Sequence, residues 1–378
     1  MAQKHQKPDN LMQSKKIVVA IDSFKGCLSS AEANRAAAEG IRKVCPEAEI
    51  VQVPVSDGGE GFLEAFQSAI GGFLVEASVY DPLMRPITAK YLLKDGTAVI
   101  EMAQASGLIL LNIKERNPLV ATSYGTGQLV ADAVRKGARH IIVGLGGSAT
   151  SDAGRGLIQA LSDIFCGGAQ WREIEELKKI RFTIASDVKN PLYGENGAAY
   201  VFAPQKGATP KDVLLLDERA RKFAEDSARL FGYDRSQKEG AGAAGGLGYA
   251  FLQYLNADCK PGIQLLLETI NYKKLVQDAD LVITGEGVAD RQTLMGKLPM
   301  GVLEQSGAVP VCLIAGRVSD HQALLEAGFA KVDCINPSDI TLAEAMRKEV
   351  AMQNIRHSVS GIIVNDHIKL TGGVCLVS

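Results

Sequence analysis

Lys16-Ile17-Val18-Val19-Ala20-Ile21-Asp22 is a short, uninterrupted apolar run that closes on an acid. A run without alternation is the pattern of a strand buried on both faces of a parallel sheet. Ser29 follows, with Glu32 three residues later, a capping box that predicts a helix to about Val44. Glu49 to Val55 reads as a second strand, followed by a glycine-rich turn and a helix from about Glu60 to Ala69. The pattern changes at Gly71-Gly72. Residues 73–103 read as three closely spaced strands, with turn signals at Asp81-Pro82 and Asp95-Gly96, so this piece should be antiparallel. Helical patterning covers 125–136 and, as a long charged stretch, 210–231. Strands are predicted at 140–144 and 182–185. The buried-strand pattern returns at 280–284 and 311–315, and a last helix is predicted over 341–362.

Two strand–loop–helix units in succession predict an α/β fold with a doubly wound, Rossmann-like parallel sheet. The expected domains are 15–72 together with 272–363, and an inserted second α/β domain over 73–271. The expected flexible tails are 1–14 and 364–378. An interdomain cleft would be the favoured ligand site.

Composition narrows the function. Hydrophobic residues make up 46% and charged residues 22% of the 378, an ordinary globular balance. The net charge of -2 gives no electrostatic case for nucleic acid or an anionic membrane. Any phosphate chemistry must therefore rest on local loops. The seven cysteines are scattered and form no C-x-x-C pair, which argues against a disulfide framework or a zinc site and fits a reduced cytoplasm. Met1 to Lys16 carries no apolar signal core, and no apolar run reaches the roughly 20 residues that span a bilayer.

Five segments set glycines beside an acid, a lysine or a hydroxyl, mostly just after a strand, where α/β proteins bind ligands. In Asp22 to Ser29, Lys25 beside Gly26 could hold an anion before a helix N-terminus, or could be a solvated lysine in a turn. In Pro54 to Gly61, Asp57 could bind Mg²⁺ or a substrate hydroxyl, or simply shape an Asp-Gly turn. Gly144 to Gly154 follows a strand and enters a helix, and Gly144, Gly146, Gly147 and Ser148 could form a phosphate cradle. It matches neither G-x-x-x-x-G-K-[ST] nor G-x-G-x-x-G, and the second mismatch weakens a dinucleotide-binding reading. In Ala185 to Leu192, Asp187 could be a base, a metal ligand or a turn residue. Thr284 to Lys297 carries Glu286, Asp290, Arg291 and Lys297 after one strand, acids for a metal beside cations for phosphates. The five glycines of 240–248 fit either a flexible loop or close packing. The five histidines lie outside these loops, and there is no G-x-S-x-G, so hydrolase readings lack their parts.

Taken in order, these segments resemble the bacterial type I glycerate kinases over about residues 16–363. The matching segments are DSFKG (22–26), PVSDGGEG (54–61), EMAQASGL (101–108), YGTG (124–127), GLGGSAT (144–150), NPL (190–192), PQKGA (204–208), AGAAGGLG (241–248) and ITGEG (283–287), with QTL and GK (292–297). The resemblance implies ATP-dependent phosphorylation of glycerate, Mg²⁺ dependence and a two-domain α/β fold with its site in the cleft. It further implies transfer to the 2-hydroxyl. The chain departs from the family at Cys27, usually Ser, at Ser151, usually Asn, and at Lys189, usually Asp. Val288-Ala289-Asp290-Arg291 stands where Arg-Ile-Asp-Ser is usual.

Under this resemblance the Gly144–Ser148 loop, with Gly285 and Glu286, would hold ATP. Asp187, Asp290 and Glu286 would bind Mg²⁺ or act as base. Lys25, Arg291 and Lys297 would neutralise the phosphoryl group and the glycerate carboxylate, and Asp57 would orient the glycerate hydroxyls. No nucleic-acid or membrane partner is expected, and a homo-oligomer is compatible with the sequence. Two other classes stay open at this point. One is an NAD(P)-dependent glycerate or hydroxypyruvate oxidoreductase; the other is an inactive glycerate-binding paralogue, suggested by Lys189 and the altered 288–291.

Overall fold

The computed structural model describes residues 15–56, 61–168 and 174–365. Among the described residues eleven strands form: β1 (Lys16–Ile21), β2 (Glu49–Gln52), β3 (Phe73–Tyr80), β4 (Pro86–Lys94), β5 (Thr97–Glu101), β6 (His140–Gly144), β7 (Arg181–Ala185), β8 (Asp258–Lys260), β9 (Leu281–Ala289), β10 (Val311–Val318) and β11 (Lys331–Cys334). The chain divides into two compact units. The first joins the residues up to Pro54 with Asn271–Met295 and the residues from Val302 onward; the second comprises Val55–Ile270 and Gly296–Gly301. The second unit therefore takes in the helix Phe62–Ile70.

The first unit holds a five-stranded sheet in the order β11-β10-β9-β1-β2, parallel throughout. Chain order reverses direction between β1 and β9, so this is the switch point at which doubly wound sheets place ligands. Ile17, Val19, Ile21, Ile283 and Ile314 pack with Ala33, Ala37 and Ile41 of the helix Ser30–Val44 and with Ile355 and Val359 of the helix Lys348–Asn365. Full burial of such a side chain is worth about 1.5–3 kcal/mol. The two helices cross so closely that a Cβ on Gly40 would lie 2.5 Å from the Arg356 carbonyl oxygen. The first helix has the expected capping box: Ser29 Oγ accepts from Glu32 N, and Glu32 Oε2 accepts from Ser29 N.

The second unit holds a six-stranded sheet, β3-β4-β5-β6-β7-β8. β3, β4 and β5 are antiparallel, with the turns the sequence predicts, and β5 through β8 are parallel. Both units are thus α/β, as expected. Two local readings need correction. β9 continues to Ala289, so Gly285 and Glu286 lie inside a strand, opposite Ile314 and Ala315, rather than after it. The predicted last helix is two helices, Leu342–Ala345 and Lys348–Asn365, the first with its own Thr341–Glu344 capping box.

Candidate active site

In the first unit, the carboxyl end of β1 is tied to the middle of β9 by a hydrogen bond from Asp22 N to the Gly285 carbonyl, 2.9 Å. The turn after β1 is self-closed, with Phe24 and Leu28 exchanging N–H···O bonds of 2.9 Å each. Gly26 has φ +73°, which glycine adopts without strain. This places Lys25 on an exposed turn. Asn34, fully buried on the following helix, donates to the Ile21 carbonyl at 3.0 Å and accepts from Ile21 N at 3.3 Å, holding the end of β1. Burial, and next the field of Glu32, raise the pKa of the Cys27 thiol, so the cysteine at this departure from the family pattern stays neutral.

Within β9, Glu286 is buried and accepts a 2.6 Å hydrogen bond from Thr293 Oγ1. The same hydroxyl accepts from Asp290 N at 3.0 Å, and Asp290 Oδ1 accepts from Gln292 N at 2.8 Å. Two expected acids are therefore held by one threonine. Gly285 has a packing role: a Cβ there would meet the Ile314 carbonyl oxygen at 2.5 Å. Arg291 is exposed and pairs with Asp320 at 3.4 Å, an arrangement of little energetic weight. Lys297 falls in the segment belonging to the second unit, where its carbonyl accepts from Met300 N and Gly301 N. Asp57 lies outside the described residues.

In the second unit, parallel pairing sets Gly144 opposite Ala185 and opposite Glu101. The glycine turn after β6 and Asp187 after β7 thus sit at neighbouring strand ends. Leu145 N donates to the Ala185 carbonyl at 3.2 Å, tying the two loops. The turn is clamped on its other side: Leu108 N donates to the Gly147 carbonyl, and Ala149 N to the Ser106 carbonyl, both at 2.9 Å. Gly147 has φ +73°. Asp187 is exposed, and nearby Cys259 has its thiol pushed up to about 11 by burial first, then by Asp187 and Glu239.

One part of the phosphate-cradle expectation changes. The helix after the glycine loop begins only at Arg155, and the Asp152 carboxylate already occupies its N-terminus. Asp152 accepts from Gly154 N at 3.0 Å and Gly156 N at 3.1 Å, and from Ser123 N and Oγ at 2.8 Å each. The dipole end thus faces an internal anion.

A cation, Lys206, lies against this turn, and no local pattern singles it out. It is fully buried and donates to Ser148 Oγ at 2.6 Å and to the Thr150 carbonyl at 2.7 Å. Burial lowers its pKa to about 7, against the opposing pull of Asp152. The PQKGA segment around it left this open, since a lysine inside a Pro/Gly-bounded turn is solvated only if the turn is exposed. The glycines of 240–248 resolve to close packing. Ala244, Gly245 and Gly246 have positive φ, and a Cβ on Gly245 would lie 1.9 Å from the Thr150 carbonyl oxygen. This stretch packs against the Thr150–Ser151 part of the glycine loop.

Among the described residues no group of three or more His, Cys, Asp or Glu is gathered as a metal cage. Asp187, Asp290 and Glu286 offer hard oxygen donors. Mg²⁺ is commonly held by one or two carboxylates together with substrate phosphates.

Both units are α/β, with glycine- and acid-bearing loops at the carboxyl ends of their parallel strands. The chain belongs to the glycerate kinase family, whose profile matches residues 17–364. It is 43% identical over 353 residues to a glycerate kinase of Bacillus subtilis, covering 87% of this chain and 92% of that protein. It is 40% identical over 359 residues to a glycerate 2-kinase of Escherichia coli, covering 88% and 93%. A crystal structure from Salmonella typhimurium LT2, provisionally assigned as glycerate kinase 2, superposes with a TM-score of 0.80 at 36% identity, over 93% of this chain and 98% of that one.

Proposed function

We propose that this enzyme transfers the γ-phosphoryl group of ATP to D-glycerate, at the 2-hydroxyl, giving 2-phosphoglycerate. The reading is carried by the register Gly144↔Ala185, which sets the glycine turn and Asp187 at adjacent strand ends in a chain of the glycerate kinase family. The Escherichia coli relative, a glycerate 2-kinase, supports the regiochemistry.

In-line phosphoryl transfer asks a protein for positioning and charge rather than covalent chemistry. The turn Gly146-Gly147-Ser148 receives the ATP phosphates through backbone N–H groups. Lys25, Arg291 and Lys297 neutralise the transferring group and the glycerate carboxylate. Asp187 takes the proton of the attacking hydroxyl, while Asp57 orients the glycerate hydroxyls. Mg²⁺, held by Asp290 and Glu286 or by Asp187, would supply positive charge to the phosphates. A carboxylate bound beside the phosphates brings the C2 hydroxyl nearest the γ-phosphorus. The terminal hydroxyl lies one carbon further, and a misplacement of about 1 Å can cost roughly 10²-fold.

A cytoplasmic location fits the dispersed cysteines, with none of those described bonded to another. Among the described residues no helix is long and apolar enough to cross a membrane. Coupled ADP release with D-glycerate, tartronate and glycolate tests the activity. Turnover with D-glycerate is expected, and its absence would reject the kinase reading.

A further inference from the structure

Lys206 poses an electrostatic problem. Its ammonium is wholly buried, and removing such an ion from water costs several kcal/mol. An unbranched apolar side chain would fill the same space without that cost. An ammonium has three N–H groups. Two go to neutral dipoles, Ser148 Oγ and the Thr150 carbonyl. Among the described residues no carboxylate bonds it. The opposing charge it feels comes from Asp152, already engaged by four N–H and O–H donors. On the adjoining segment, Arg116 lies with its backbone against Gly207 and brings no negative charge.

Ser148 joins Lys206 to the glycine turn. Its oxygen accepts from Lys206, so its own hydroxyl hydrogen must point away from Nζ. It bridges to Gly107 on one side and adjoins Gly147, which is exposed, on the other. The chain Nζ–H···Oγ–H then ends on whatever the turn binds, each bond polarising the next.

We propose that Lys206 is the positioning residue of the phosphate site: its ammonium fixes the Ser148–Thr150 turn and, through the Ser148 hydroxyl, backs the polyphosphate that the turn receives. This rests on the turn being the ATP site. Bound polyphosphate supplies the counter-charge, and Lys206 becomes the group that couples ATP affinity to pH. Below about pH 7 the side chain is charged; as pH rises through that value the cation is lost and ATP binding weakens.

The test uses the whole chain and ATP titrated by calorimetry from pH 6 to 9, with Lys206→Met, Ser148→Ala and the double variant. The ratio of wild-type to Lys206→Met affinity cancels the ionisation of ATP itself. That ratio should be about tenfold or more at pH 6 and shrink toward pH 9. The glycerate KM should stay within about twofold, and the unliganded variant should unfold at or above the wild-type temperature. The double variant should bind ATP no more weakly than Lys206→Met alone, because the two act as one unit. Ser148→Ala weakening ATP while Lys206→Met binds normally, or a ratio flat in pH, would overturn the role of Lys206. If Lys206→Met does not fold, Ser148→Ala decides: ATP affinity that falls equally at pH 6 and pH 9 would overturn it, and a loss confined to low pH would sustain it. If Ser148→Ala and Gly146→Val both bind ATP normally in an active enzyme, the ATP site lies elsewhere, and the inference falls with it.

Discussion

The Thr293 hydroxyl donates to Glu286 at 2.6 Å and accepts from the backbone N–H of Asp290 at 3.0 Å. One small side chain thus ties Glu286, within β9, to Asp290, just past its end. A hydrogen bond to a charged group is worth about 1.5–3 kcal/mol. Thr293→Val keeps the shape and removes the hydroxyl. It should lower kcat by about tenfold or more with little change in unfolding temperature. Thr293→Ser should restore most of the activity. Equal kcat for the valine and serine variants would assign this hydroxyl to packing alone.

Gly245 and Gly96 both have positive φ, yet their surroundings differ. A Cβ on Gly245 would lie 1.9 Å from the Thr150 oxygen, whereas one on Gly96 would meet nothing within 4 Å. Gly96→Ala should therefore cost only about 1 kcal/mol, from backbone conformation. Gly245→Ala must also displace the Thr150–Ser151 backbone and should cost more than about 3 kcal/mol. Urea unfolding midpoints measure both, and similar values would contradict the packing described here.

Asp152→Ala removes a helix cap worth about 1 kcal/mol or more and strips the buried Ser123 hydroxyl of its acceptor. Together these predict a loss of about 2–4 kcal/mol. The same unfolding measurement checks it, and a variant as stable as the parent would mean the cap is replaced by water.

Asp187→Asn should lower kcat by roughly 10²-fold or more while leaving the KM for ATP and glycerate nearly unchanged, as loss of a general base does. Rescue by excess Mg²⁺ would reassign Asp187 to metal binding. Near-normal kcat would make it a turn residue.

Much of this fold was legible along the chain because most strands advertise themselves locally, although β8 and β11 do not. Buried parallel strands such as β1 and β6 are unbroken apolar runs, and the Ser29–Glu32 box needs only four residues to be seen. The full length of β9 was not legible. Glycine and glutamate at 285–286 look like a loop, and only the pairing with Ile314 and Ala315 shows why a side-chain-free position is required there. Lys206 was hidden for a different reason. Its burial depends on Ser148 and Thr150, more than fifty residues away in the chain. The two bonds that Asp152 accepts from Ser123 likewise come from a segment that no local pattern joins to it.

Regiochemistry tests the central proposal most directly. Purified protein with ATP, Mg²⁺ and D-glycerate, coupled to enolase without a mutase, should yield phosphoenolpyruvate at the rate at which ADP appears. ADP release with no phosphoenolpyruvate until a phosphoglycerate mutase is added would contradict transfer to the 2-hydroxyl.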